Sequence, residues 1–439
     1  MTISRRVLLG SGAAAGLAAV LKGPWLLASD AGRFANALKI PAILEGSDAR
    51  DGRLFNLALA SGRSEFLPGV STPTIGINGP YLGPTIRCRL GDRVTFRVKN
   101  DLVEETALHW HGLHIPARHD GGPHQVVAPG STWAPSFEIK QKASLCWYHA
   151  HLMGRTGEQV LRGLAGLFLI EDDESRSLGL PLEYGVDDIP LVIQDRRFNR
   201  DGSFSYLSAM NDMMMGYQGD VILVNGTAEP HFVLRRQRTR VRVLNASNSR
   251  IYTLGRDDGM DLLIIGSDGS LLERPIQQRR VRIAPGERIE LLLDAQSGRN
   301  FRLMSYPDRV ARGMGPGMMM GGMAGNTETF AIIELRAGRL EGSAPALPDR
   351  LIEVPRWTQA QAARTRTFSL DMGMMGMMGM GMGGRGMGGM MGINGRTHGH
   401  AAHRRARAPR QHRGLGDPEC DPPGPSIPHP RCPVSAARS

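Results

Sequence analysis

Hydrophobic residues recur at every second position along most of the chain, in short runs separated by turns rich in glycine and proline. Val94, Phe96 and Val98 show this period within one such run. A period of two indicates a strand with one buried face. The pattern extends over 54–100, and 161–170 is predicted to close the unit as a further strand. Many short strands with turn signals between them are typical of an all-β sandwich or barrel.

A second stretch repeats the first. The segment 221–226 (VILVNG) echoes 77–79 (ING), and 239–245 (TRVRVLN) echoes 93–100 (RVTFRVKN). Further alternating runs lie at 262–267, 279–283 and 287–294. Recurrence of this kind indicates tandem domains of one fold. The boundary is placed near 172–188, where acidic residues cluster.

A third echo, Gly392-Ile393-Asn394-Gly395, is predicted to open a third domain. The residues after Arg396 contain no period-two apolar run and are rich in Arg, Pro, His and Ala. Such a segment cannot bury a core, so 397–439 is predicted to be a disordered tail. Its composition resembles a shifted reading frame of GC-rich coding sequence, a hypothesis that the nucleotides after the Arg396 codon would test.

The N-terminus has the form of a twin-arginine export signal. Arg5-Arg6 precedes an apolar run from Val7 to Val20, which is shorter than the roughly 20 residues that a spanning helix needs. We therefore interpret 1–31 as a removable signal peptide and expect a periplasmic protein exported by the twin-arginine machinery. No other segment has the pattern of a stable membrane anchor.

Charge and cysteine content narrow the function classes. The 439 residues include 53 Lys and Arg against 42 Asp and Glu, a formal net charge of +11. Because the arginines are dispersed through strand-like runs and part of the excess lies in the tail, we expect no nucleic-acid partner.

Four cysteines in a chain of this length do not form a disulfide scaffold. Cys88 and Cys146 lie in one predicted domain, where a bridge and two buried thiols are both open.

Two His-x-His pairs carry the candidate chemistry: His109 with His111, and His149 with His151. Alternate residues of a strand point to the same face, so each pair projects together. Four imidazoles from neighbouring strands would line one cavity. With neither acidic residues nor cysteine sulfur as the nearest flanking ligands, an all-nitrogen site suits copper or zinc.

The segments HWHGLHIP (109–116) and CWYHAHLMGRTGEQVLRGLAGLFLIED (146–172) resemble the first two copper motifs of the multicopper oxidases. The sequences of these segments most resemble those of the bacterial periplasmic cuprous oxidase and laccase branch, and the resemblance runs from about 78 to 396. It implies tandem cupredoxin-like Greek-key β-sandwich domains at 45–175 and 185–345, with an incomplete third domain at 346–396. The second domain carries no His pair and is interpreted as a spacer.

The resemblance also implies a trinuclear copper cluster that reduces dioxygen to water. By position, His109 matches a type 2 ligand, His111 and His149 match ligands of one type 3 copper, and His151 matches a ligand of the other. Asp120 matches the acidic residue that supplies protons, a chemically sensible role because breaking the O–O bond consumes protons. The alternative for Asp120 is a turn-forming residue ahead of two glycines.

The remaining family motifs, His-Pro-x-His-x-His-Gly and His-Cys-His, are not found. Cys420 follows Glu419 and Cys432 follows Arg431, so neither has flanking histidines. A blue-copper site needs two His and a Cys with a weak axial ligand. Type 1 copper ligands are therefore not identified, and we expect this chain to bind copper weakly and to show low or no oxidase activity.

Methionines are clustered at 213–215, at 314–323 and within 371–391, where most are separated by glycines. The thioether is a soft ligand that selects Cu(I). Core-filling methionine normally occurs singly among Leu and Ile, so copper capture is favoured over plastic core packing. For His398, His400 and His403, a solvated tail is favoured over opportunistic metal binding.

The preferred function is a multicopper oxidase that oxidises Cu(I) or phenolic small-molecule donors, reduces O₂ to water and serves copper tolerance. The alternative is a non-catalytic periplasmic protein of cupredoxin fold that binds and buffers copper. A cupredoxin-like scaffold that has lost its metal is disfavoured by the two His pairs.

Overall fold

The computed structural model describes residues 33–208, 210, 212, 216–307, 328–344, 346–372, 391–394 and 396–397. These residues form strands and loops with two short α-helices among them, α1 (Thr156–Arg162) and α2 (Asp173–Arg176). The prediction of an all-β chain is confirmed. Within the described residues, none of the helices is long and apolar enough to cross a membrane.

The strands of the first domain form two sheets that enclose one core. Their bounds are β2 (Ile43–Leu44), β3 (Ser47–Ala49), β4 (Gly52–Leu67), β5 (Val70–Ile77), β6 (Thr85–Arg89), β7 (Arg93–Asn100), β8 (Leu108–His111), β9 (Thr132–Trp133), β10 (Ser136–Glu138), β11 (Ser144–Ala150) and β12 (Ala165–Glu171). One sheet has the order β2-β6-β12-β11-β8, and the other has the order β10-β7-β4-β3, with β5 on β4 and β9 on β7. The strand predicted at 93–100 is confirmed.

One boundary in this domain differs from the prediction. The segment expected to be a strand from 161 begins as the end of α1, and β12 starts only at Ala165. Gly163, at φ +127°, ends the helix because only glycine adopts this backbone conformation readily. The apolar residues Val160 and Leu161 are buried within the helix and Leu164 is buried just after it, so hydrophobicity alone did not separate helix from strand.

The second domain also consists of two sheets. Its strands are β13 (Asp188–Arg196), β14 (Val221–Val224), β15 (Thr227–Ala228), β16 (Pro230–Arg236), β17 (Arg238–Asn245), β18 (Tyr252–Arg256), β19 (Leu262–Ser267), β20 (Ser270–Gln278), β21 (Val281–Ile283), β22 (Arg288–Asp294), β23 (Phe301–Ser305) and β24 (Phe330–Glu341). The sheet orders are β15-β14-β13-β17-β22-β19-β20 and β1-β16-β24-β23-β18-β21, where β1 (Asn36–Ala37) comes from the N-terminal arm.

The sequence echoes correspond to one repeated backbone device. Asn78 and Asn225 both have positive φ, +55° and +50°, which asparagine tolerates better than most residues. Their side-chain oxygens accept hydrogen bonds from strand amides, that of Ala58 at 2.7 Å and that of Val192 at 2.8 Å. The two domains therefore share a turn geometry as well as a sequence pattern.

The two domains pack through the outer faces of two sheets. An apolar cluster joins the five-stranded sheet of the first domain to the seven-stranded sheet of the second: Leu82, Leu145, Trp147, Ala165, Leu167, Leu169, Val192, Leu244 and Ala246. Strands β11, β12 and β13 are consequently covered on both faces. This is why they are almost continuously apolar instead of alternating.

Residues 354–397 belong to a separate compact unit. Its strands β25 (Leu370–Met372), β26 (Met391–Ile393) and β27 (Arg396–Thr397) form a three-stranded antiparallel sheet. Asn394 has φ +53°, and its side-chain oxygen accepts the amide of Ser369 at 2.7 Å. The third sequence echo thus forms the same asparagine turn. The predicted tail begins at Thr397, which pairs in β27, and its remaining residues 398–439 lie outside the described residues. The signal peptide, the methionine clusters at 213–215 and 314–323, and residues 373–390 of the third cluster also lie outside them.

A buried ion network lies on the seven-stranded sheet. Arg242 donates to both carboxylate oxygens of Asp188, at 2.7 and 2.8 Å, and lies 3.2 Å from Glu290. Arg240 donates to Glu290 as well. Burial alone would raise the pKa of Glu290, but the two guanidinium groups outweigh it and hold this pKa below its ordinary value of 4.5. The network is therefore stabilising only while Glu290 is ionised.

We predict that Glu290→Gln lowers the free energy of unfolding by about 3–5 kcal/mol at pH 7, because it leaves two buried guanidinium groups undercompensated. Urea unfolding followed by circular dichroism measures this change. Since the folded-state pKa is lowered, the contribution is present above about pH 4.5 and is lost as the pH falls through the lowered pKa.

Glu341→Gln is the matched control, because Glu341 forms an exposed pair with Arg236 at 3.2 Å. Exposed pairs contribute about 0–1 kcal/mol. Equal effects of the two substitutions would contradict a stabilising buried network.

Candidate metal centre

The two His pairs lie on adjacent antiparallel strands of the five-stranded sheet. His109 of β8 is directly opposite His149 of β11, and His111 is opposite Trp147. Residues opposite each other in a sheet share a face. The register therefore brings both pairs to one face, at the end where His151 leaves β11.

The four imidazole rings converge. Ring centroids are 5.4 Å apart for His109 and His149, 5.1 Å for His109 and His151, and 5.4 Å for His111 and His149. One nitrogen from each of His109, His111 and His149 lies within 4.8 Å of the other two. The structure thus assembles the cluster that the spacing predicts, and the assignment of individual residues to individual metal ions stays a prediction.

Backbone carbonyls orient two of the rings. Nδ1 of His109 donates to the carbonyl of Asp120 at 2.9 Å, and Nδ1 of His149 donates to the carbonyl of Ala150 at 2.8 Å. A carbonyl can only accept, so the proton of each neutral ring is on Nδ1 and the lone pair is on Nε2. Hydrogen bonds of this kind fix the tautomer of metal-ligating histidines.

Burial keeps two of the four rings, those of His149 and His151, unprotonated. It lowers the pKa of His149 well below 6.5, and the neighbouring His109 lowers it further. Burial also lowers the pKa of His151. Both rings are therefore neutral near pH 7, which is the form that binds metal.

The donor set fits copper. Nδ1 of His111 and Nε2 of His149 face each other at 3.2 Å, a separation at which one ion can bind both. Nδ1 of His151 is buried and has no hydrogen-bond partner among the described residues. Neutral imidazole nitrogens without thiolate or carboxylate in the cluster suit copper, with zinc as the other choice.

Asp120 lies beside the cluster. Its carboxylate oxygen is 3.3 Å from Nδ1 of His109, and its side chain is 35% exposed, so it contacts both the centre and solvent. Gly121, at φ +72°, lets this loop lie against β8, since a Cβ there would come within 1.6 Å of the Leu108 carbonyl. Asp120 thus lies both in a tight turn and beside the histidines, and its role as a supplier of protons stays a prediction.

Trp147 and a turn of the second domain also lie beside the histidine cluster. Neither was assigned to the site from the sequence. The indole ring stacks on His149 with centroids 4.0 Å apart and lies 5.0 Å from His111. From the second domain, Gly286 approaches His111, and Arg288 binds the Leu145 carbonyl at 3.0 Å. Alternation along β11 indicated the position of Trp147, whereas no local pattern marked Gly286 or Arg288.

Cys88 and Cys146, the two cysteines in the described part of the chain, are not members of the histidine cluster. Both are buried thiols that form no disulfide, so the disulfide alternative is wrong and the alternative of two buried thiols holds. They lie on β6 and β11, and β12 separates these strands. Burial raises the pKa of the Cys88 thiol, which makes it a poor ligand or nucleophile. Cys420, Cys432 and the histidines of the tail lie outside the described residues.

Comparison with known proteins gives the family context. Residues 59–175 match the family model described as multicopper oxidase. The cell division protein FtsP of Escherichia coli (strain K12) is 40% identical over 298 residues, which are 68% of this chain and 61% of that protein. The chain thus spans about 61% of the length of this relative.

Two solved structures are also similar. The laccase-like multicopper oxidase CueO from an Ochrobactrum species has 36% identity and a TM-score of 0.68, covering 76% of this chain and 71% of that one. The multicopper oxidase McoA from Aquifex aeolicus has 31% identity and a TM-score of 0.71, covering 82% and 74%. With its four converging histidines, this chain belongs to the multicopper oxidase family.

Proposed function

We propose that the protein is an exported copper protein whose four-histidine face supplies the first-domain half of an oxygen-reducing trinuclear copper cluster. The convergence of His109, His111, His149 and His151 supports this proposal most directly. The proposed reaction is the oxidation of Cu(I) or phenolic donors with reduction of O₂ to water, in the service of copper tolerance.

Bound copper would supply the one-electron redox chemistry, and the protein's own residues would hold and protect the site. Carbonyls of Asp120 and Ala150 hold two rings in the ligating tautomer. Trp147 covers one side of His149 and excludes water there. The Asp120 carboxylate, which contacts both solvent and His109, would pass protons inward.

His111→Ala is predicted to weaken copper binding by more than about 100-fold, because losing a ligand exceeds the effect of losing a residue that only orients one. Competition with a chromogenic Cu(I) chelator measures the dissociation constant. His124→Ala, which removes an exposed histidine of the same domain, is the control and leaves binding unchanged. Equal affinities of the two variants would refute the proposed metal site.

Type 1 ligands were not identified, so we expect little oxygen uptake; whatever uptake the chain shows with Cu(I) or a phenol as donor is predicted to fall by about 10²–10⁴-fold in Asp120→Asn, while copper stoichiometry stays the same. An oxygen electrode and metal analysis of the same samples provide the two readings. If Asp120 serves only as a turn former, asparagine replaces it without loss of rate.

The second candidate is a copper protein without turnover. The relatives named cell division proteins favour a role that is not oxidative, and type 1 copper ligands were not identified in this sequence. The same pair of measurements separates the candidates. Copper bound through His111 without oxygen uptake would support the non-catalytic function.

We also propose that export follows the twin-arginine route to the periplasm. Arg5→Lys combined with Arg6→Lys is predicted to retain the full-length chain in the cytoplasm, measured by cell fractionation and immunoblotting. The control replaces Arg235 and Arg236, an adjacent pair in β16, with lysine. Unchanged export of the signal variant would exclude this route.

A further inference from the structure

A turn of the second domain lies next to the histidine cluster. Residues 284–287 connect β21 to β22, and Gly286 has φ +82°. A Cβ at Gly286 would lie 3.4 Å from Cε1 and 3.9 Å from Nε2 of His111, and 3.8 Å from Cζ2 of Trp147. A side chain at position 286 would therefore touch the edge of the His111 ring that points away from His149, and glycine leaves that edge free of such a contact.

Hydrogen bonds hold this turn in place. The amide of Gly286 donates to the carbonyl of Asn245 at 2.8 Å, and the amide of Ala284 donates to the carboxylate of Glu287 at 2.6 Å. The carbonyl of Gly286 accepts from Nη1 of Arg288 at 2.8 Å. These hydrogen bonds fix the position of the turn relative to the His111 ring.

Arg288 ties the turn to the strands that carry the histidines. Its side chain is 1% exposed; Nε donates to the carbonyl of Leu145 on β11 at 3.0 Å, and Nη2 donates to the carbonyl of Asp268 at 2.9 Å. The Asp268 carboxylate, 2.9 Å from Nη1, balances the charge. A Cβ at Gly112 would lie 2.7 Å from Nη2, so the residue after His111 packs directly on this guanidinium.

We propose that Gly286 and Arg288 are positioning residues of the metal centre, so that the second domain helps to set the geometry of the four histidines that the first domain contributes. Because it carries no side chain, Gly286 leaves room for the His111 ring in the orientation that directs Nδ1 at His149. Arg288 holds β11 and the end of β8 in fixed relation to that turn. This inference rests on the proposed function as a copper protein, and it gives the second domain a part beyond that of a spacer.

The first test compares Gly286→Asn with Gly298→Asn. Gly298 also lies in a turn of the second domain, at φ +76°, but a Cβ there meets no atom within 4 Å. Asparagine tolerates positive φ well, so the two variants carry a similar backbone cost and differ in what the new side chain touches. Gly286→Asn is expected to weaken copper binding by about tenfold or more and to change the Cu(II) electron paramagnetic resonance hyperfine splitting. Gly298→Asn is expected to match the unmodified protein, and identical affinity and spectra for the two variants would overturn the role of Gly286.

The second test uses Arg288→Lys with Arg282→Lys as control. Lysine keeps the charge but cannot reach the carbonyls of Leu145, Gly286 and Asp268 in the planar fork geometry of arginine. Arg288→Lys is expected to weaken copper binding and shift the spectrum, while Arg282→Lys, at an exposed position of β21, is expected to do neither. A lower melting temperature with an unchanged spectrum would show that Arg288 only stabilises the fold.

A reading without metal separates this inference from the proposed function. In metal-free protein, the carbethoxylation rate of His111 is expected to be lower in Gly286→Asn than in Gly298→Asn, because the added side chain covers its Nε2 edge. Peptide mass spectrometry measures this rate, and exposed His124 is expected to react equally in both. If the unmodified protein binds no copper through His111, the proposed function fails, but the carbethoxylation rates still test whether a side chain at position 286 contacts His111. Equal His111 rates in the two variants would overturn the inferred role of Gly286.

Discussion

The packing of two sheets through their outer faces is the constraint on which the rest of this structure depends. Strand β11 lies at the centre of it, with Leu145 and Trp147 in the apolar interface and His149 next along the same face. Burial of such apolar surface contributes roughly 25 cal/mol per Å². Because one strand serves the interface and the cluster, any change that separates the domains also uncovers the histidines.

The same burial gives the cluster its chemistry. Removal from water lowers the pKa of His149 and of His151, and the carbonyls of Asp120 and Ala150 select the tautomer of two rings. The protein thus holds two unprotonated imidazoles beside two further rings, with the Asp120 carboxylate as the neighbouring negative charge. This arrangement would be unfavourable for imidazolium ions, and it suits ligands of a metal cation.

The internal repeat contains the same kind of turn in both domains, but the two turns have different neighbours. Gly130 and Gly286 follow prolines, have positive φ, and donate to the carbonyls of Asn100 and Asn245 at 2.7 and 2.8 Å. A Cβ at Gly130 would meet nothing within 4 Å, whereas one at Gly286 would meet His111. The equivalent turns of the two domains therefore differ in what lies next to them. The turn at Gly130 has open space beside it, whereas the turn at Gly286 lies next to the metal centre of the first domain.

Sequence by itself determined the fold class, the tandem repeat and the four histidines, because alternation and His-x-His spacing act within a strand and need no distant partner. Local pattern failed at 161–164, where buried residues at the end of α1 have the hydrophobicity of a strand. Only the tertiary structure decided that His109 lies opposite His149, that β12 separates Cys88 from Cys146, and that Gly286 reaches His111. These facts depend on strand register and on domain packing, which are set by contacts between residues far apart in the chain and leave no local trace in the sequence.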